Sequence, residues 1–226
     1  LVALELAEGL IARSWEVSFY IASPHLQFAR AKLPAELTLY TEAADVPPFN
    51  LFDLVYVQHQ AHATLLRRQS LDALTGPARP VYIFAHLSPF SPFEQPHAAS
   101  EPILADLILA NSPETARHLS GFAKGFEQIE VMPNPSPAAF AASQGQRPAA
   151  GPKLRLLSVS NHRPPELRAA LARLEEDHHK IIRFGLGATS RRLRLDDLAR
   201  ADAVITIGKT VQYAMAAGCP VYCYDH

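Results

Sequence analysis

The chain has 226 residues, 48% of them hydrophobic and 19% charged, with a net charge of −1 at neutral pH. That balance suits one large or two small globular domains and argues against a broad nucleic-acid-binding surface. Two cysteines, Cys219 and Cys223, make no disulfide framework, and no apolar run is long enough to span a bilayer, so an intracellular protein is expected.

The first residues already fall in a helical pattern, with Ala3, Leu6, Ala7, Leu10 and Ile11 on one face. The chain has no initial Met and its last residues directly follow a predicted strand, so flanking segments are expected on both sides. After a turn at Ser14-Trp15, residues 16–22 read as a strand, and residues 37–40 as a short one. Residues 52–60 form a strand ending in polar residues that include His59, and "HATLLRRQSLDAL" reads as helix. Residues 81–86 form another strand, ending at His86, and a Pro-rich loop follows. "LILAN" is a strand, and Ser112-Pro113-Glu114 opens the next helix: Ser can cap, Pro suits the first turn and Glu favours the dipole. "IEVMP" is again a strand.

Composition then shifts. Residues 134–152 are rich in Pro, Ala, Ser and Gly and read as linker-like. A second α/β series starts at residues 154–160, passes through a helix opened by Pro164-Pro165, and reaches "KIIRFG". Strands alternating with helices indicate parallel sheets covered on both faces, with ligands beyond the strands' carboxyl ends. The expected division is a first domain over 1–140, a linker over 141–152 and a second domain over 153–226. A cleft between the two is the expected site.

"ADAVITIGKTVQYAMAAGCPVYCYD" ends a strand on Gly208-Lys209-Thr210. A nucleotide-triphosphate loop needs its first Gly five residues before Gly208, at a position occupied by Ala203 inside the predicted strand. A helix starting straight after a strand still offers unpaired N–H groups and a positive dipole end to an anion. An ordinary strand–helix turn with a solvated Lys is the alternative. Cys219 and Cys223 are expected on one side of the last strand, as core residues. His178-His179 and the run from Arg191 to Arg200 are expected on the surface, the latter with an Arg pair suited to contact with anionic lipid or glycan.

The order of segments resembles a nucleotide-sugar-dependent glycosyltransferase of the GT-B fold, family 4-like. The resemblance rests on "FDLVYVQHQ", "PVYIFAHLSP", "ADLILANSPETARHL", "IEVMPNPSPAAF" and "ADAVITIG…YAMAAGCPVYCYD". It implies two Rossmann-like domains with parallel sheets facing a cleft. It also implies a UDP- or GDP-sugar donor, a glycan or lipid-linked acceptor, and no metal or other cofactor. By position, Gly208, Lys209 and Thr210 would receive the donor diphosphate, and His86 would meet the donor sugar near the reacting centre. From their chemistry, and not from a motif match, Arg163 and Lys209 would supply positive charge, with His59, Asn161 and His162 as further cleft residues.

Two departures stand out. The family's two Glu residues would fall at Ile205 and Tyr213, so Tyr213 would have to serve the ribose differently. The family's Arg and Lys after the second domain's first strand are replaced by "SNHRPPE". A catalytically silent nucleotide-sugar-binding or scaffold protein and a UDP-sugar 2-epimerase are the alternatives.

Overall fold

A computed structural model describes residues 2–22, 33–58, 62–97, 99–122, 129–142, 151–161, 164–185, 187–189 and 191–224. The chain is mixed α/β, built from parallel sheets, and divides into two compact units, Leu1–Pro133 and Asn134–His226.

In the first unit, helix α1 (Val2–Ile11) precedes the parallel pair β1 (Ser18–Tyr20) and β2 (Thr38–Tyr40). A four-stranded parallel sheet follows, in chain order: β3 (Leu54–Gln58), β4 (Val81–His86), β5 (Leu107–Ala110) and β6 (Ile129–Val131). Its helices are α2 (His62–Leu66), α3 (Leu71–Thr75), α4 (Glu101–Leu104) and α5 (Pro113–Phe122). The expected single helix after β3 is two, because the Ser70 side chain accepts the Ala73 N–H and starts α3 afresh. The Ser112 hydroxyl likewise accepts the Thr115 N–H at the start of α5, as its sequence suggests. The core takes alternate residues of β4, Tyr82 and Phe84, together with Val57, Leu65, Ile108 and Leu119. Period two puts His86 on that same buried side.

The second unit contains α6 (Ala138–Ala141), β7 (Arg155–Val159), α7 (Pro165–Glu176), β8 (Lys180–Phe184), α8 (Leu195–Ala199), β9 (Ala203–Thr206), α9 (Lys209–Ala216) and β10 (Val221–Cys223). Strand order is β10-β9-β7-β8, all parallel. Both faces are covered. Leu156 and Ile205 pack with Leu167 and Leu171 of α7, whereas Leu157 and Val204 pack with Leu198, Tyr213 and Phe140. Phe140 lies parallel to Tyr213 at 4.7 Å, so α6 belongs to this unit although its sequence is linker-like.

One anchoring device occurs in both units. Asp106, just before β5, accepts the Tyr82 N–H at 2.9 Å and pairs bidentately with Arg79. Asp202, just before β9, accepts the Arg155 N–H at 2.7 Å and pairs with the Arg155 guanidinium at 3.0 Å. Each carboxylate supplies an acceptor for an N–H at the start of the neighbouring strand, the second residue of β4 and the first of β7.

Several expectations are corrected. Cys219 is buried in the turn before β10 and Cys223 is exposed, because Pro220 intervenes and only Cys223 lies on the strand. His178 is exposed, but His179 is not merely a surface group: its Nδ1 accepts the Leu154 N–H at 3.1 Å. Arg191 is held by Asp197 and lies 4.8 Å over the Phe184 ring, so its charge is engaged within the unit.

Candidate functional site

The strand order of the second unit reverses between β7 and β9. The chain leaves β7 toward β8 on one side, whereas β9 and β10 lie on the other. At such a switch point the loops beyond the carboxyl ends diverge and leave a crevice. The two strand ends are tied together: Val159 pairs with Thr206, and the Thr206 hydroxyl donates to the Val159 carbonyl at 2.7 Å.

Beyond β7 come Ser160 and the exposed Asn161. Ser160 donates its N–H to Phe184 and its hydroxyl bonds the Tyr224 hydroxyl. Gly185, at φ +110°, presses on this loop: a Cβ there would lie 2.0 Å from the Ser160 carbonyl oxygen. Only glycine fits both the conformation and the contact. The loop after β7 is thus set by its neighbours on both sides.

Beyond β9 comes Gly208, at φ 65° and ψ −141°, a backbone region open to glycine alone. Gly208 is exposed, and beyond its own atoms and its chain neighbours' nothing lies within 4 Å of where its Cβ would be. The backbone therefore turns sharply into α9 while leaving space at the helix start. Lys209 and Thr210 are half-buried there. α9 starts there with its positive dipole end, and its third N–H, that of Val211, donates to the Gly208 carbonyl at 3.0 Å.

The Lys209 ammonium donates to the Pro135 carbonyl and lies 5.5 Å over the Tyr213 ring. Its charge is engaged by the unit's own groups. Tyr213 is 2% exposed and stacked on Phe140, so its ring belongs to the core and not to a ribose contact. Ile205 is buried on the opposite face of the sheet. Both positions matched to the family's Glu residues are core positions here. His59, His162 and Arg163 lie outside the described residues.

His86 belongs to the first unit, where it is 5% exposed at the end of β4. Its Nδ1 lies 2.7 Å from the Glu94 carbonyl and its Nε2 3.0 Å from Glu101 Oε2. Burial lowers the His86 pKa, but the Glu101 carboxylate and the Glu94 carbonyl more than offset this, and the net direction is upward. Glu101, 1% exposed, also accepts the His97 N–H at 2.6 Å through Oε1, and Glu94 accepts the Leu87 N–H at 3.0 Å. Ser100 bridges His97 Nδ1 at 2.7 Å and His62 Nε2 at 3.3 Å. Both ring nitrogens of His86 are taken by protein acceptors, so the residue positions the loop and has no nitrogen turned to a sugar. Sequence reading picked out His86 but missed Glu94 and Glu101; two acids in a Pro-rich loop beside a strand-terminal His are the signal that was there.

No protein-family model matches the chain, and no curated protein matches it. The fold itself gives the class: two parallel-sheet α/β units, consistent with Rossmann-like folds. Among the described residues, no helix is long and apolar enough to cross a membrane, and no group of three or more His, Cys, Asp or Glu is placed to hold a metal ion.

Proposed function

We propose that the chain is a GT-B-type glycosyltransferase that moves a sugar from a UDP- or GDP-sugar to a glycan or lipid-linked acceptor. The observation that carries this reading is Gly208: an exposed, glycine-only turn that opens α9 at the switch point of a parallel sheet. Glycosyl transfer leaves a nucleoside diphosphate on which negative charge grows in the transition state. Amides preset at a helix start stabilise that charge without reorganising. The Thr210 hydroxyl adds a donor on the same turn, and Asn161 lies beyond the adjacent strand end.

The two lobes of this reading would be the two parallel-sheet units, and the order of motifs along the chain supports the reading. Release of UDP or GDP from a panel of nucleotide-sugars, with and without acceptor extract, tests the activity. Acceptor-dependent release supports transfer; no release from any sugar with any acceptor sinks it.

A second reading is a nucleotide-sugar-binding protein without turnover. The burial of Ile205 and Tyr213 favours it, since no carboxylate stands at either position. Tight binding of UDP or GDP without release under any acceptor is its signature.

A further inference from the structure

We propose that His86 is a proton-controlled clamp on the loop between β4 and α4, holding the Pro92–Glu94 turn when doubly protonated and releasing it when neutral. The inference is independent of the proposed activity.

The geometry is restrictive. Nδ1 faces a carbonyl oxygen at 2.7 Å and Nε2 faces a carboxylate oxygen at 3.0 Å. A carbonyl accepts only, so an imidazolium satisfies both contacts with its two N–H donors. A neutral ring has one N–H and must turn a lone pair on one of the two acceptors. The carboxylate is the stronger acceptor and keeps the Nε2 proton, so the proton leaves Nδ1. The Nδ1 lone pair then meets the Glu94 carbonyl oxygen, and attraction becomes repulsion.

The titratable groups around the ring come from several elements. Glu101 comes from α4, Glu94 from the Pro92–Glu94 turn, His97 from the loop and His62 from α2. Tyr56 of β3 is pushed up to about 12 by burial and by Glu94, and stays neutral. His118 of α5 bonds Gln95 of the same loop at 2.9 Å. The two carboxylates favour a cation at His86, while burial opposes it. The loop is also fastened at Glu101, which binds the His97 N–H through its second oxygen and keeps that contact in either state, and by Asn111, whose amide donates to the Leu87 carbonyl.

Glu101→Gln separates charge from shape. The Gln carbonyl oxygen accepts the His97 N–H, and its amide donates to the His86 Nε2 lone pair. A neutral His86 then donates from Nδ1 to Glu94, and both contacts survive without the charge.

The test is ring 15N correlation spectroscopy of the whole chain from about pH 5 to about pH 9, the range in which histidines titrate, with amide exchange over residues 87–97. In the unmodified protein, His86 stays doubly protonated above about pH 6.5, the ordinary histidine value. Through the His86 titration the Glu94 amide, bonded to Ser91, gains at least about tenfold in exchange beyond the intrinsic rise, while the His97 amide does not. In Glu101→Gln, His86 is neutral at pH 7 and the exchange step is gone. An unmodified His86 that loses its second proton at or below about pH 6.5, the ordinary histidine value, or an unchanged exchange step in Glu101→Gln, overturns the proposal. Should Glu101→Gln fail to fold, the unmodified titration decides alone.

Discussion

Asp202 accepts the backbone N–H of Arg155 at 2.7 Å, joining the residue before β9 to the first residue of β7. The Asp202 side chain is 6% exposed, whereas the Arg155 side chain that also reaches it is 40% exposed. The backbone contact therefore matters more than the ion pair. Asp202→Ala is expected to destabilise the second unit by about 1–3 kcal/mol, the cost of leaving a buried N–H without an acceptor. Arg155→Ala is expected to change little. Urea unfolding of both variants checks the order; a larger loss from Arg155→Ala would reverse it.

Asp106 plays the same part in the first unit, and it gives a pH dependence. Its hydrogen bond from Arg79 holds the carboxyl below the usual carboxylate value of 3.8, with the Tyr82 N–H adding to the effect. A folded pKa lower than the unfolded one adds stability above the unfolded value, and that stability is lost as pH falls through the folded value. The stability gap between the unmodified protein and Arg79→Ala is therefore wide at neutral pH and closes below about pH 4. Denaturation midpoints at the two pH values measure it. A gap that stays constant or widens in acid contradicts the assignment.

Two helices end on a left-handed residue that is not glycine. Ser14 and His178 both have φ 65°, and the residues after them donate to Leu10 and Leu174 across the helix end. This is the position where glycine is favoured because a Cβ is strained. Ser14→Gly and His178→Gly are each expected to stabilise the protein by about 0.5–1 kcal/mol. A lower thermal midpoint in both would show that their side chains contribute more than the backbone strain costs.

Phe140 tests the extent of the second unit. Its ring is buried against Tyr213. Phe140→Ala is expected to cost about 3–5 kcal/mol, the range for losing a buried aromatic ring. Chemical-shift changes should concentrate around Leu198, Val204 and Tyr213, its partners in the core. Changes confined to residues 1–133 would place the segment elsewhere.

Much of the architecture was legible in the sequence. The apolar strands 81–86, 107–110, 155–159 and 203–206 stand out because parallel strands buried on both faces need near-continuous Val, Ile and Leu. The helix formed by residues 138–141 was hidden because a single buried aromatic, Phe140, does the packing in text otherwise rich in Pro and Ala. Gly208 was legible because its strand–Gly–helix pattern is local. The fate of His86 was not, since Glu94 and Glu101 reach it only once the Pro-rich loop has folded back. The Ala-Asp pairs at 105–106 and 201–202 carried the anchoring device in plain view, and only the fold shows which N–H each one takes.

The central claim is that the first turn of α9 receives a diphosphate through its backbone amides. Calorimetric titration of UDP and GDP into the unmodified protein and into Thr210→Asp tests it most directly. An acid at the second helical position favours the helix by about 0.3–1 kcal/mol and repels a bound anion. The account predicts that one of the two nucleotides binds the unmodified protein, and that Thr210→Asp binds it at least about tenfold more weakly, or ~1.4 kcal/mol, with a thermal midpoint no lower. Binding of equal strength in Thr210→Asp, or no binding of either nucleotide to the unmodified protein, would contradict it.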